Sequence, residues 1–167
     1  MIRVPNVMLV VLFSTILIAG CEKDESPNVK IDKDLVIKLN DNAVDTITID
    51  SHDYFLNATL WRDFMPISPP NGKPLISLNW LISSDSSAIP SNIKLVLQYV
   101  INSDSVWIAD YLNDTRNAPV YKIEKISNDG PKWGPFIYVD IIAKITDTKE
   151  NRDYYLKLSH VVIGRTD

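Results

Sequence analysis

Along most of the chain apolar and polar residues alternate with a period of two. Ile47 and Ile49 alternate with Thr46 and Thr48, and Ile76, Leu78, Trp80 and Ile82 with Ser77, Asn79, Leu81 and Ser83. Ile93, Leu95, Leu97, Tyr99 and Ile101 form a third series, and Ile137, Val139, Ile141, Ala143 and Ile145 a fourth. Successive side chains of a strand point to opposite faces, so these series predict half-buried strands with the named residues toward a core. Residues 55–63, 106–111, 120–126 and 154–163 are shorter candidates. No window of eleven residues carries a helical stripe.

The separators are turn chemistry: Pro69-Pro70-Asn71-Gly72, Asp85-Ser86-Ser87, Asn102-Ser103-Asp104, Asn128-Asp129-Gly130-Pro131 and residues 147–151. About seven to nine short strands joined by such turns predict an all-β fold, an antiparallel β-sandwich. A closed barrel is the alternative, and uneven strand lengths weigh against it. Residues 60–75, LWRDFMPISPPNGKPL, stand apart: Pro66, Pro69 and Pro70 stiffen a long connection because each fixes φ. This segment resembles the inter-strand crossover of immunoglobulin-like domains in secreted proteins of Bacteroidota.

The chain has 167 residues, 46% hydrophobic and 23% charged, which suits one globular domain and excludes collagen, coiled coil and multi-pass membrane protein. Its single Cys excludes an internal disulfide and a thiolate zinc cluster. A net charge of −4 and a pI near 5.1 argue against a nucleic-acid partner, which calls for a basic footprint.

The N-terminus changes the picture more. Arg3 precedes a mostly apolar run from Val7 to Ile18, followed by the small residues Ala19 and Gly20. That is the layout of a secretory signal peptide. The run is shorter than the roughly 20 residues of a spanning helix, so a permanent transmembrane helix is the weaker reading. Ile18-Ala19-Gly20-Cys21 resembles a bacterial lipobox, and the only Cys falls where that motif needs it. The resemblance implies cleavage before Cys21 and acylation of the new N-terminal cysteine. Several acyl chains together give stable attachment where one is marginal. Cys21-Glu22-Lys23-Asp24-Glu25-Ser26-Pro27 resembles the export signal that sends lipoproteins of the Bacteroidota to the outer face of the outer membrane; a plain charged tether and the periplasmic face are the alternatives. The expected organisation is a signal peptide over 1–20, a lipidated Cys and polar tether over 21–44, and a β-sandwich domain over 45–167. Within the tether, 22–33 read as flexible, and 35–39 as a first strand or a late-docking arm.

Candidate chemistry is sparse. Asp50-Ser51-His52-Asp53 groups three possible metal ligands in one turn, and Asp50, His52 and Asp53 could serve a divalent cation or a hydrolase. A polar turn with local hydrogen bonds is the favoured reading of these residues. His160 sits in a late strand. No serine-nucleophile motif, zinc-protease motif or phosphate-binding loop occurs. Trp61, Trp80 and Trp107 lie in predicted strands and are expected in the core. Trp133 follows Lys132 in a Gly- and Pro-rich loop, so Trp133 and Lys132 are the candidate binding residues. Either Trp133 is displayed for recognition, where an aromatic offers large contact area, or it folds back and caps the sandwich. No cofactor is expected. The function read from this is a membrane-attached, non-catalytic binding or assembly module with a protein or glycan partner. A metal-dependent or carboxylate-based hydrolase and a purely structural envelope lipoprotein are the competing readings.

Overall fold

The computed structural model describes residues 28–112 and 118–167. The elements run β1 (Val29–Ile31), α1 (Lys33–Asn42), β2 (Thr46–Ile49), β3 (His52–Asp63), β4 (Leu75–Ser83), β5 (Ile93–Asn102), β6 (Ser105–Asp110), β7 (Lys122–Gly130), β8 (Tyr138–Asp147) and β9 (Arg152–Thr166). Among the described residues the fold is all-β with one short helix. Every strand predicted from the period of two is present.

The strands form a single curled sheet in the order β1-β6-β5-β8-β9-β3-β4-β7, with β2 paired to β3. The sheet is mixed rather than purely antiparallel, because β9 runs parallel to β3 from Leu60↔Ile163 to Asp63↔Thr166. The other pairings between strands are antiparallel. β9 makes the curl. Its first part pairs with β8, the register slips between Val139 and Ile141, and its last residues pair with β3. His160 occupies the left-handed region at φ 58 within this slip, where its N–H bonds Asp140 Oδ1 at 3.0 Å. A bulge of this kind bends a strand and increases its twist. The outer ends approach each other as well: Leu112 N–H donates to Ile126 O at 2.9 Å, and the Ser127 hydroxyl to Asp110 O. The result is half a barrel, wrapped around a core that includes Tyr54, Leu60, Leu81, Trp107, Ile141, Ile145, Leu156 and Ile163.

Two differences from the sequence reading lie near the N-terminus. Residues 35–39 are not a strand; they belong to α1. Asp32 caps that helix, its Oδ1 accepting from Leu35 N–H at 2.9 Å, and Asp34 in the first turn suits the positive helix end. The apolar stripe Leu35, Val36 and Leu39 is too short to stand out in an eleven-residue window. It packs on a second, smaller cluster on the outside of the sheet around Ile101, Val106 and Ile142. The ordered fold also begins earlier than the expected tether allows, since Val29–Ile31 pair with Trp107–Ser105 of β6.

The phase of β4 is the reverse of the expected one. Leu75, Ser77, Asn79, Leu81 and Ser83 face the core, while Ile76, Leu78, Trp80 and Ile82 stay half-buried on the outside. Cross-strand partners share a face, and β3 decides which. Tyr54, Leu56, Ala58 and Leu60 point inward, opposite Ser83, Leu81, Asn79 and Ser77. Tyr54 and Leu60 thus meet the small Ser83 and Ser77, the small Ala58 meets Asn79, and Leu56 packs beside Leu81.

Candidate functional site

Cys21 lies outside the described residues. Three other places hold the residues singled out in the sequence.

The first is the β2–β3 turn. Asp50 and Ser51 take φ of 48 and 67, the left-handed pair of a tight two-residue hairpin. Asp50, His52 and Asp53 do not converge. Asp53 Oδ1 accepts from Thr48 Oγ1 at 2.6 Å, Asp50 lies 4.0 Å from Lys149 Nζ, and His52 Nδ1 meets Asp85 Oδ2 at 2.9 Å. No group of three metal-ligating side chains is gathered among the described residues. Sequence reasoning missed the partners of His52, which come from the turn after β4. Ser83 Oγ donates to Asp85 Oδ1 at 2.7 Å, Ser87 N–H donates to the same oxygen, and Ser87 Oγ lies 3.1 Å from His52 Nδ1. These bonds, led by those from Ser87, hold the Asp85 carboxyl well below the usual range. Burial and the Asp85 and Asp50 charges push the Tyr54 phenol up. Serine, histidine and aspartate do meet here, but hydroxyl and carboxylate share one ring nitrogen. A nucleophile–base–orienter relay puts them on opposite nitrogens.

The second place is the Lys132–Trp133 loop. Arg62, at the end of β3, is 1% exposed and ties this loop to the β3–β4 connection. Its Nη1 donates to Lys132 O at 3.0 Å and Gly134 O at 2.9 Å, its Nε to Lys73 O at 3.0 Å, and its Nη2 to Asn71 O. A planar guanidinium with donors in a fixed fork serves four carbonyls of two loops at once. Two guanidinium groups lie over the Phe64 ring, Arg62 at 5.0 Å and Arg165 at 4.2 Å from its centroid. Trp133 is half-buried and packs against the core cluster, and Lys132 is half-buried beside it. The nearby residues Phe136 and Tyr138 are exposed instead, at 71% and 67%. His160 is exposed.

The third place follows from the reversed phase of β4. Its outer face carries three complete rows across β3, β4 and β7: Phe55–Ile82–Lys122, Asn57–Trp80–Glu124 and Thr59–Leu78–Ile126, with Trp61–Ile76 at the end. Trp61 and Trp80 therefore lie outside the core, and only Trp107 of the three expected core tryptophans is fully buried. Trp80 Nε1 donates to Glu124 Oε2 at 2.6 Å, and Lys122 Nζ sits 4.7 Å from its ring centroid. The helix lies over the other half of the sheet, against β6 and β9, and does not cover this face. No helix among the described residues is long and apolar enough to cross a membrane.

No protein-family model, curated protein or solved structure matches this chain.

Proposed function

We propose that the protein is a lipid-anchored lipoprotein of the outer-membrane surface, and that its β-domain is a non-catalytic binding or assembly module for a protein or glycan partner. The observation that carries this reading is the outer face of β3, β4 and β7, where Phe55, Trp61, Ile76, Leu78, Trp80, Ile82 and Ile126 remain half-buried with no helix over them among the described residues. Contiguous apolar surface rimmed by polar groups marks interaction sites, and Lys122, Glu124 and Asn57 supply that rim. The lipobox-like Ile18-Ala19-Gly20-Cys21 supports the anchor. From strand spacing and rise, the face measures roughly 10 by 20 Å, or about 200 Å². A standard interface takes about 800 Å² per partner, so this face is the centre of a contact and neighbouring loops complete it. The finer likeness to an immunoglobulin-like sandwich belongs to the same proposal; two halves of the sheet packed over one core, with β9 passing between them, support it.

The test is a photo-reactive amino acid placed at Leu78 of the full-length chain in cells. A discrete adduct that Ile126→Lys abolishes supports the reading. No adduct from Leu78, alongside adducts from positions on other faces, overturns it.

A further inference from the structure

On the other half of the sheet, α1 does not close down along its whole length. Leu39 is buried against Ile101, Val106 and Ile142. Along one side of the helix a cleft of about 210 Å³ remains, lined by Leu35, Lys38, Leu39 and Asn42 of α1 and by Tyr99 and Tyr155 of the sheet. At about 30 Å³ per water this is space for about seven waters. Drug-sized pockets begin near 300 Å³, so the cleft suits one six-membered ring with its substituents.

Its chemistry narrows the occupant. The two phenol rings have centroids 6.5 Å apart and tilt at 43°, making an aromatic wall. The leucines add apolar surface. Polar groups come from the two tyrosines, the Lys38 ammonium and the Asn42 side chain, whose Nδ2 donates to Lys38 O at 2.6 Å. No carboxylate is among the residues lining the cleft, and Asp153, whose charge reaches Tyr99, is paired with Lys144 at 2.8 Å. One ammonium is too little for a polyphosphate. What fits is an uncharged ring with apolar faces and hydroxyls around its edge. The helix is fixed at both ends, by the Asp32 cap and by Lys157 Nζ donating to Asn40 Oδ1 at 2.6 Å. The cleft is therefore preformed, which lowers the ordering cost of binding.

We propose that the cleft between α1 and the Tyr99–Tyr155 pair binds a single pyranose unit, either a free sugar or one residue of a glycan. This goes beyond the outer-face reading, because it places a separate site on the other half of the sheet. The test is ligand-observed saturation-transfer NMR of the full-length protein in detergent, with the methyl glycosides of glucose, galactose, mannose and N-acetylglucosamine as probes, and their short oligosaccharides as a second arm. At least one glycoside is expected to bind, more tightly as the oligosaccharide if glycan chains are the source. Asn42→Ala should weaken it about fivefold, the loss of one hydrogen bond. Leu35→Trp, which fills the cleft, should abolish it, while Phe136→Ala, at an exposed residue of neither site, leaves it unchanged. Absence of binding by every probe overturns the proposal, as does binding that survives Leu35→Trp and Asn42→Ala. Sugar binding lost in Trp80→Ala or Trp133→Ala but kept in both cleft variants overturns the cleft and leaves the binding-module reading standing. Cleft-dependent binding without a Leu78 adduct supports the cleft and overturns the outer face as a binding site.

Discussion

The side-chain amide of Asn79 donates to Gln98 Oε1 across the interior, joining β4 to β5 at 2.5 Å. The two strands belong to opposite halves of the curled sheet, and both residues are fully buried. Asn79 also donates to Ser77 Oγ at 2.9 Å. Asn79 Oδ1 and Gln98 Nε2 have no partner among the described residues. Removing one half of such a pair leaves the other buried and unpaired, whereas replacing both with apolar groups is close to neutral. Asn79→Ala should therefore cost about 1–3 kcal/mol. The double change Asn79→Leu with Gln98→Leu should recover most of that loss. Urea melts of the three proteins check this; a double variant no better than the single one would show that the pair contributes through more than satisfaction of its own groups.

Arg62 carries two loops on one guanidinium. Arg62→Met keeps much of the buried volume and removes the donors to Asn71, Lys73, Lys132 and Gly134. Hydrogen bonds from a charged group contribute about 1.5–3 kcal/mol each, so a total loss of about 3 kcal/mol or more is expected. Amide hydrogen exchange should rise in 63–74 and 131–137 ahead of the rest of the domain. Uniform loosening would mean that Arg62 supports the core and not the loops.

Trp133 packs against the core while half-exposed. Full truncation of a buried Trp costs about 3–5 kcal/mol, and a displayed surface residue costs within about 0.5. Trp133→Ala should fall between, at about 2–3 kcal/mol. A midpoint that does not move would return Trp133 to the displayed role.

Acid should unfold the domain through carboxylates whose charged forms are held in the fold. Lys73 lowers the pKa of Asp63, Ser87 that of Asp85, Asn92 that of Asp147 and Lys144 that of Asp153. Each depressed folded-state pKa contributes stability that is present above the unfolded value near 3.9 and lost as pH falls through the folded one. The melting temperature should therefore change little between pH 5 and 7 from this source and drop below about pH 4. Asp147→Asn should shallow the drop, because Asn92 Nδ2 and the Lys149 N–H bond the charged carboxylate. A steeper acid loss in the variant would contradict this assignment.

For the anchor, Cys21→Ser should abolish incorporation of a fatty-acid probe and leave the precursor unprocessed or the protein soluble. Labelling that survives the substitution would remove the lipobox reading.

The alternation of single strands was legible because it reports a local fact: a strand half in water must change polarity at every residue. That located all the longer strands, and for β8 it also located the correct face, since Val139, Ile141, Ala143 and Ile145 are buried as expected. For β4 it chose the wrong face, because both sides of that strand are partly apolar. Pairing with β3 set the face, and so moved Trp80 outward and Asn79 inward. In β5 the register slip between Leu95 and Leu97 switches sides, so that Gln98 and Val100 enter the core while Tyr99 and Ile101 turn toward α1. The helix escaped notice because its apolar stripe is brief and draws its stability from the outer cluster. The sites divide in the same way. The proposed lipobox Ile18-Ala19-Gly20-Cys21 is contiguous, so proposing it needs no fold. His52 with Asp85, Arg62 with Gly134, and Tyr99 with Tyr155 are distant in the chain, and only the folding of the sheet brings them together.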